Sequence, residues 1–185
     1  MNRFELEMVD ILKKAKDNYG LVATKAEFAE EGTRSDELLR LIDISNLAHV
    51  DIALKIGGCE AVRDLLESKN LGVKYIIVPM IETPYALKKF IELKNNVYNN
   101  NQSKNIQFLF NLETITGYNH LAELIDIASN ENGFDGLVFG RDDFVKSMQL
   151  SRRIVDNDEI TSYGEIIASE CKRVNLDLVL GGSIS

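Results

Sequence analysis

Five short apolar runs in this sequence give out on a charged residue just ahead of an amphipathic stretch. They are Val22-Ala-Thr-Lys25-Ala-Glu27, Ile52-Ala-Leu-Lys55-Ile-Gly-Gly58, Ile76-Ile-Val-Pro-Met-Ile-Glu82-Thr83, Phe108-Leu-Phe-Asn-Leu-Glu113-Thr114 and Leu137-Val-Phe-Gly-Arg-Asp142-Asp143. Charges gathered at the same end of successive strands make one polar mouth, which in alternating βα proteins is where ligands bind and chemistry occurs.

The rest of the chain keeps the same rhythm. Phe4, Met8, Ile11, Leu12 and Ala15 recur at spacings of three and four, so residues 2–18 read as an amphipathic helix closed by Tyr19-Gly20. Strands are expected over 21–27, 51–56, 74–81, 106–112, 136–139 and 177–180. Helices are expected over 35–48, 60–68, 84–97, 118–129 and 161–174. Ser35 is placed as a helix cap, and Thr83 ahead of Pro84 as another, because a proline at the first helical position loses no bond. Asn99-Asn100-Asn101-Gln102-Ser103 reads as a mobile polar loop. Ile81-Glu82-Thr83 and Leu112-Glu113-Thr114 are echoes 31 residues apart, the period of one βα unit.

Such alternation implies a mainly parallel sheet with right-handed crossovers, open and doubly wound or closed as a barrel. A doubly wound nucleotide fold needs a glycine-rich phosphate turn after its first strand. Here that turn is Lys25-Ala-Glu-Phe-Ala-Glu-Glu-Gly32, whose charges repel a pyrophosphate. Functional groups on almost every strand end favour a barrel. The expectation is an α/β fold, a (β/α) TIM-type barrel in a single domain over 1–185, with an N-terminal helix over 1–20 and barrel units over 21–185. Six strands in 185 residues fall short of the eight units and about 250 residues of a full barrel. The chain ends at Gly181-Gly182-Ser183-Ile184-Ser185 on a strand's exit, so an open edge is expected to need cover, and self-association into a homo-oligomer is expected with it.

Composition narrows the partners. With 21 basic against 29 acidic residues the net charge is -8, and no segment concentrates Lys and Arg among aromatics, so nucleic acid is not an expected partner. The longest apolar stretch, 75–81, is far below the roughly 20 residues of a membrane span. The N-terminus is too acidic for a signal peptide, and a cytoplasmic location is expected. Cys59 and Cys171 have neither disulfide nor metal-ligand spacing.

Glu113 and Asp143 both follow apolar strands, and adjacent strands lie about 4.8 Å apart. Two carboxylates that close repel unless a cation sits between them. A pair of carboxylates completed by water and substrate oxygens suits Mg2+. Each residue alone also suits a charge at a helix N-terminus; together, with Gly140 ahead of Arg141-Asp142-Asp143, they favour the metal.

Three runs, Pro79-Met80-Ile81-Glu82-Thr83, Leu112-Glu113-Thr114-Ile115-Thr116-Gly117-Tyr118-Asn119 and Phe139-Gly140-Arg141-Asp142-Asp143-Phe144, together resemble the HpcH/HpaI aldolase and citrate lyase beta-subunit family, over roughly Leu21 to Ser185. The resemblance implies a metal site at Glu113 and Asp143 for Mg2+ (or Mn2+). It implies a turn at Gly140 in which the backbone N–H groups of Arg141 and Asp142 hold the substrate carboxylate. The family's arginine, which polarises the keto or enolate oxygen, is matched by Lys55, 24 residues before Pro79. Lysine keeps the charge and loses the bidentate fork. Where aldolase members place a histidine on the first strand, this chain has Lys25, Glu27, Glu30 and Glu31. Glu27 is the candidate base, ahead of His49 and His120, which fall within or at the end of helices. Glu82 is placed as orienting a water or Lys55, or as a plain helix-start charge.

What the resemblance implies is a Mg2+-dependent carbon-carbon lyase or aldolase acting on a 2-oxo acid, or on a citrate- or malyl-type substrate, through a metal-stabilised enolate. Involvement of a coenzyme A thioester stays open. The rival reading is a catalytically silent barrel that binds a ligand or a partner.

Overall fold

The computed structural model describes residues 1–183, so Ile184 and Ser185, at the expected strand exit, lie outside the described residues. Six parallel strands form one sheet in sequence order: β1 (Ala23–Glu27), β2 (Asp51–Lys55), β3 (Tyr75–Val78), β4 (Gln107–Leu112), β5 (Gly136–Gly140) and β6 (Asp177–Gly181). Each pairs only with its sequence neighbours, so β1 and β6 are free edges among the described residues. The sheet curls into a partial barrel whose concave face receives alternate residues from all six strands.

Nine helices lie among the described residues: α1 (Arg3–Tyr19), α2 (Ser35–Ala48), α3 (Val62–Leu71), α4 (Pro84–Val97), α5 (Asn100–Ser103), α6 (Ile115–Asn119), α7 (Leu121–Ala128), α8 (Arg141–Ser147) and α9 (Asp158–Val174). The main core fills the space between the helices and the convex face of the sheet. Leu54, Ile76, Val78, Phe110, Leu112, Leu137 and Phe139 point outward from the strands and meet Leu38, Leu65, Leu87, Phe90, Leu124 and Ile167 from the helices. Burying each such side chain contributes about 1.5–3 kcal/mol relative to leaving it in water. A smaller cluster of Val9, Ile44, Ala48 and Val50 seats α1 on α2, beside the ion pair of Arg40 with Glu5. None of the described helices is long and apolar enough to cross a membrane.

Three local expectations change. The residue capping α2 is Arg34, while the Ser35 hydroxyl bonds the Glu67 carboxylate. Residues 118–129 do not form one helix: α6 ends and α7 begins at His120, whose φ of −104° and ψ of 11° leave the helical region. Gly117 in α6 sits where a Cβ would lie 2.9 Å from the Ile81 carbonyl, so only glycine lets this helix pack under the exit of β3. Residues 100–103, read as loop, form one helical turn capped by the Asn99 side chain. Thr83 caps α4 through Ala86 N–H as expected, and Thr114, its echo one unit on, caps α6 through Gly117 N–H.

Candidate active site

The concave face of the sheet bounds a cavity of about 970 Å³, with Ala53, Ile77, Leu109 and Val138 along its walls and Lys25, Glu27, Lys55, Asn111, Glu113 and Gly140 toward the C-terminal strand ends. A second cavity of about 500 Å³ opens at that end and shares Glu27, Glu30, Lys55, Glu113 and Asp143 with the first. Of the strand-end charges read from the sequence, Lys25, Glu27, Lys55, Glu113, Asp142 and Asp143 therefore border one mouth.

Glu113 emerges from β4 with 4% of its surface exposed. Its carboxylate is held by two neutral donors: the Met80 backbone N–H lies 2.9 Å from Oε1, and Asn111 Nδ2 lies 2.8 Å from Oε2. Met80 adopts a positive φ of 53°, a left-handed conformation costly for a residue with a Cβ. Strain of this kind persists where surrounding structure enforces it, and here the strained residue delivers an N–H to the carboxylate. Gly140 on β5 packs against the other side of Glu113, where a Cβ would stand 2.8 Å from Glu113 Cβ and 3.0 Å from Oε2.

Immediately after Gly140 the chain enters α8, a helix the sequence pattern did not reveal because its buried pair, Phe144 and Val145, is too short a signal for helical periodicity. The start of α8 is fastened by side chains. Arg141 binds Asp156 and the carbonyls of Gly182 and Ser183, and Asp142 binds Arg152 and the Ser183 hydroxyl. What Arg141 and Asp142 turn toward Gly182 is their backbone: a Cβ on Gly182 would lie 2.8 Å from Asp142 N and 3.3 Å from Arg141 N. Asp143 borders both cavities and pairs with the exposed Lys146 at 2.9 Å.

Across the mouth, Glu27 and Lys55 face each other in the β1–β2 register. Glu27, 2% exposed, receives Lys55 Nζ on Oε1 at 3.1 Å and Lys25 Nζ on Oε2 at 3.0 Å. Burial pushes the Glu27 carboxyl up, but the two ammonium groups outweigh it and hold it below the ordinary carboxylate range. Partial burial pulls Lys25 down, and its bonds and charge contacts with Glu27 and Glu31 more than reverse this, holding it above the usual lysine value.

Glu82 borders neither cavity, and the carboxylate that meets Lys55 is Glu27. Glu82 sits one residue ahead of Thr83, the cap of α4. His49 terminates α2 in a left-handed conformation, and His120 bonds the Thr116 carbonyl at the α6–α7 junction. Neither borders the mouth. Sequence reasoning missed Asn111 and Met80. The signal for Asn111 was present, since a polar residue at an inward strand position two before Glu113 must face the same cavity.

The donor set suits a small hard cation. Glu113 is a buried carboxylate with no Lys, Arg or His ion pair among the described residues, and burying a charge without a counter-charge is costly. Asn111 Oδ1, also buried, has no hydrogen-bond partner among the described residues. No group of three or more His, Cys, Asp or Glu side chains gathers for a metal among the described residues. A site of two carboxylates that leaves further positions to water or substrate is the kind Mg2+ accepts.

Solved structures share this fold. Citrate synthase SbnG superposes with a TM-score of 0.75 at 17% identity, covering 98% of this chain and 74% of that one. An HpcH/HpaI aldolase/citrate lyase family protein from Burkholderia cenocepacia J2315 gives 0.73 at 12% identity, covering 95% and 75%. Macrophomate synthase gives 0.69 at 12% identity, covering 94% and 66%. No curated protein matches the sequence. The sequence profile of the HpcH/HpaI aldolase/citrate lyase family matches residues 33–181, starting after β1 and so leaving Lys25 and Glu27 ahead of the matched stretch. On that match, which spans most of the chain and all three motif runs, the protein belongs to the HpcH/HpaI aldolase/citrate lyase family, a family of aldolase- and lyase-type enzymes.

Proposed function

We propose that this protein is a Mg2+-dependent (or Mn2+-dependent) carbon-carbon lyase or aldolase acting on a 2-oxo acid. The observation that carries the reading is Glu113, a buried carboxylate at the mouth that only neutral donors satisfy among the described residues. Glu113 and Asp143 would hold the ion, which when bound supplies positive charge for the substrate's carboxylate and keto oxygens as an enolate develops. Met80 N–H and Asn111 Nδ2 fix the Glu113 carboxylate, so it is oriented before anything binds. The backbone N–H groups of Arg141 and Asp142 face Gly182, whose missing side chain leaves them open to a carboxylate. Lys55 presents a cation on the opposite wall, held there by Glu27. Glu27 is the residue able to pass a proton, because it borders both cavities and bonds Lys55 directly.

Calorimetry with Mg2+ and Mn2+, with and without pyruvate or oxaloacetate, tests the reading. Metal binding that tightens with the oxo acid and is lost in Glu113→Gln and Asp143→Asn is the expected result. An unmodified chain that binds neither ion refutes the metal site and leaves a silent, ligand- or partner-binding barrel. Acyl thioesters of coenzyme A are the second substrate class to assay. A homo-oligomer, and a cytoplasmic location suited to two free cysteines, complete the proposal.

A further inference from the structure

We propose that α1 is a self-recognition surface: a second copy of this chain lays its own α1 across it, antiparallel, along the stripe of Phe4, Met8, Ile11 and Ala15. This names a surface for the homo-oligomer of the proposed function and rests on that part of the reading, but on neither the metal nor the substrate.

Three observations carry the inference. The first is an apolar stripe left uncovered. The four residues are spaced four, three and four apart, the spacing that keeps one side of a helix toward a partner helix. α1 does not dock on its own chain through them. It is seated on α2 by Val9 against Ile44, Ala48 and Val50, by the ion pair of Glu5 with Arg40 and by Lys16 Nζ on the His49 carbonyl. Phe4 and Ile11 stay 74% and 63% exposed, with Met8 and Tyr19 exposed beside them and Ala15 half-buried. The helix is thus already formed and fixed before any partner arrives, so binding through it orders little.

The second observation is charge. α1 carries four basic and four acidic side chains, so two copies of it meet without the repulsion that the net charge of -8 on the whole chain implies elsewhere. The charges are also segregated: Glu5, Glu7 and Asp10 lie in the first half, Lys13, Lys14 and Lys16 in the second. Parallel pairing sets like charge against like. Antiparallel pairing sets each acidic half against a lysine half and opposes the two helix dipoles. A helix lying in a membrane surface carries Lys and Arg along its polar face, which the acidic first half of α1 does not match.

The third observation is size. About a two-fold axis, the antiparallel seam brings Met8 against Ile11 of the second copy and Phe4 against its Ala15, large on small. The same register sets Glu7 beside Lys14 of the second copy, and Glu7 is held in its own chain only by the exposed Arg3. Four exposed side chains from each copy, at roughly 100 Å2 apiece, bury on the order of 800 Å2, the low end for a specific interface, so a dimer that dissociates in the micromolar range is expected.

Sedimentation between about 1 and 100 μM brackets that range and is run on the parent, Ile11→Glu, Glu7→Lys and Lys14→Glu. All three positions are exposed, so the fold is retained, and an unchanged urea midpoint checks this. The parent is expected to self-associate and Ile11→Glu to stay monomeric. Each charge reversal is expected to weaken association about tenfold, because two attractive contacts become repulsive. Mixing the Glu7→Lys chain with the Lys14→Glu chain is expected to restore association, since each altered residue then faces an opposite charge in the other chain. A parent that is monomeric throughout, an Ile11→Glu chain that associates like the parent, or a mixture without recovery overturns the inference. An oligomer that responds to Leu180→Lys and not to Ile11→Glu removes the α1 surface and leaves the homo-oligomer. A monomer that binds phosphatidylserine vesicles, and loses them in Ile11→Glu, overturns the inference in favour of a membrane surface. Mg2+ calorimetry on Ile11→Glu keeps the lyase reading separate: α1 borders neither cavity, so metal binding as in the parent is expected, and its absence from both chains refutes the metal site while leaving the dimer.

Discussion

Gly140 makes the sharpest test of how the site is assembled. Its φ of −85° is open to any residue, so what its position demands is space. In Gly140→Ala the new Cβ would stand 2.8 Å from Glu113 Cβ and 3.0 Å from Oε2, where carbon contacts relax near 3.5–4.0 Å. The backbones at this point are pinned by the β4–β5 ladder, in which Leu112 pairs with Phe139. The Glu113 side chain must therefore give way by roughly 0.7 Å or more. Its two hydrogen bonds, at 2.9 and 2.8 Å, then stretch to the edge of useful geometry. Weakening bonds to a buried carboxylate, together with overpacking, costs about 2–4 kcal/mol. For a chain of this size that is a fall in Tm of about 5–15 °C. Gly181→Ala is the control, since its Cβ would meet Val138 at an ordinary 3.7 Å. Urea denaturation of both variants is the assay. A Gly140→Ala loss below about 0.5 kcal/mol, the level of an ordinary surface change, would refute the tight packing of Gly140 on Glu113.

Lys94 predicts a pH effect away from the site. It is 4% exposed, donates to the Asn132 and Gly133 carbonyls and lies over the Phe108 and Phe134 rings. Burial pulls it from 10.5 to about 8, with Asp135 partly opposing. Between those values the unfolded chain holds the proton that the folded chain has lost, so stability rises with pH across that window; below it the cost of the buried charge is fully present. At about 1.4 kcal/mol per pH unit the gain is about 3 kcal/mol. Urea titrations at pH 7.5 and 10 should show it in the parent and not in Lys94→Met, and equal pH responses would contradict it. The homo-oligomer proposed above predicts a concentration-dependent mass in sedimentation, and Leu180, 49% exposed on β6 among the described residues, is the position at which to test it. Leu180→Lys should shift the species toward monomer; a parent that sediments as a monomer at all concentrations defeats the idea.

The fold was legible wherever a local rule had a clear alphabet. All six strands occur where alternation and flanking turns placed them, because a strand buried against helices must be apolar over four to six residues. α2 and α4 match their expected bounds, since Thr83-Pro84 and the amphipathic period leave little freedom. The failures lay at short elements. α8 is too short to show a period, and α6 packs where Gly117 lets its backbone approach the Ile81 carbonyl, which is a fact about neighbours. The family match covers 33–181, narrower than the Leu21 to Ser185 read from the motifs.

By itself the sequence determined the periods, and with them the parallel order of strands and the gathering of Glu27, Lys55, Glu113 and Asp143 at one end of the sheet. Strand polarity puts every βα exit on the same side, so no tertiary information was needed for that. Which carboxylate meets which cation was a tertiary decision. Glu27 rather than Glu82 holds Lys55 because β1 and β2 are hydrogen-bonded in register, with Glu27 opposite Lys55. Glu113 takes one donor, Asn111, from its own strand, but the strained Met80 N–H reaches it only once β3 and β4 lie side by side. Side-chain chemistry is written along the chain, but partners such as Lys55 for Glu27 and Met80 for Glu113 come from neighbouring strands, and only the packing of those strands selects them.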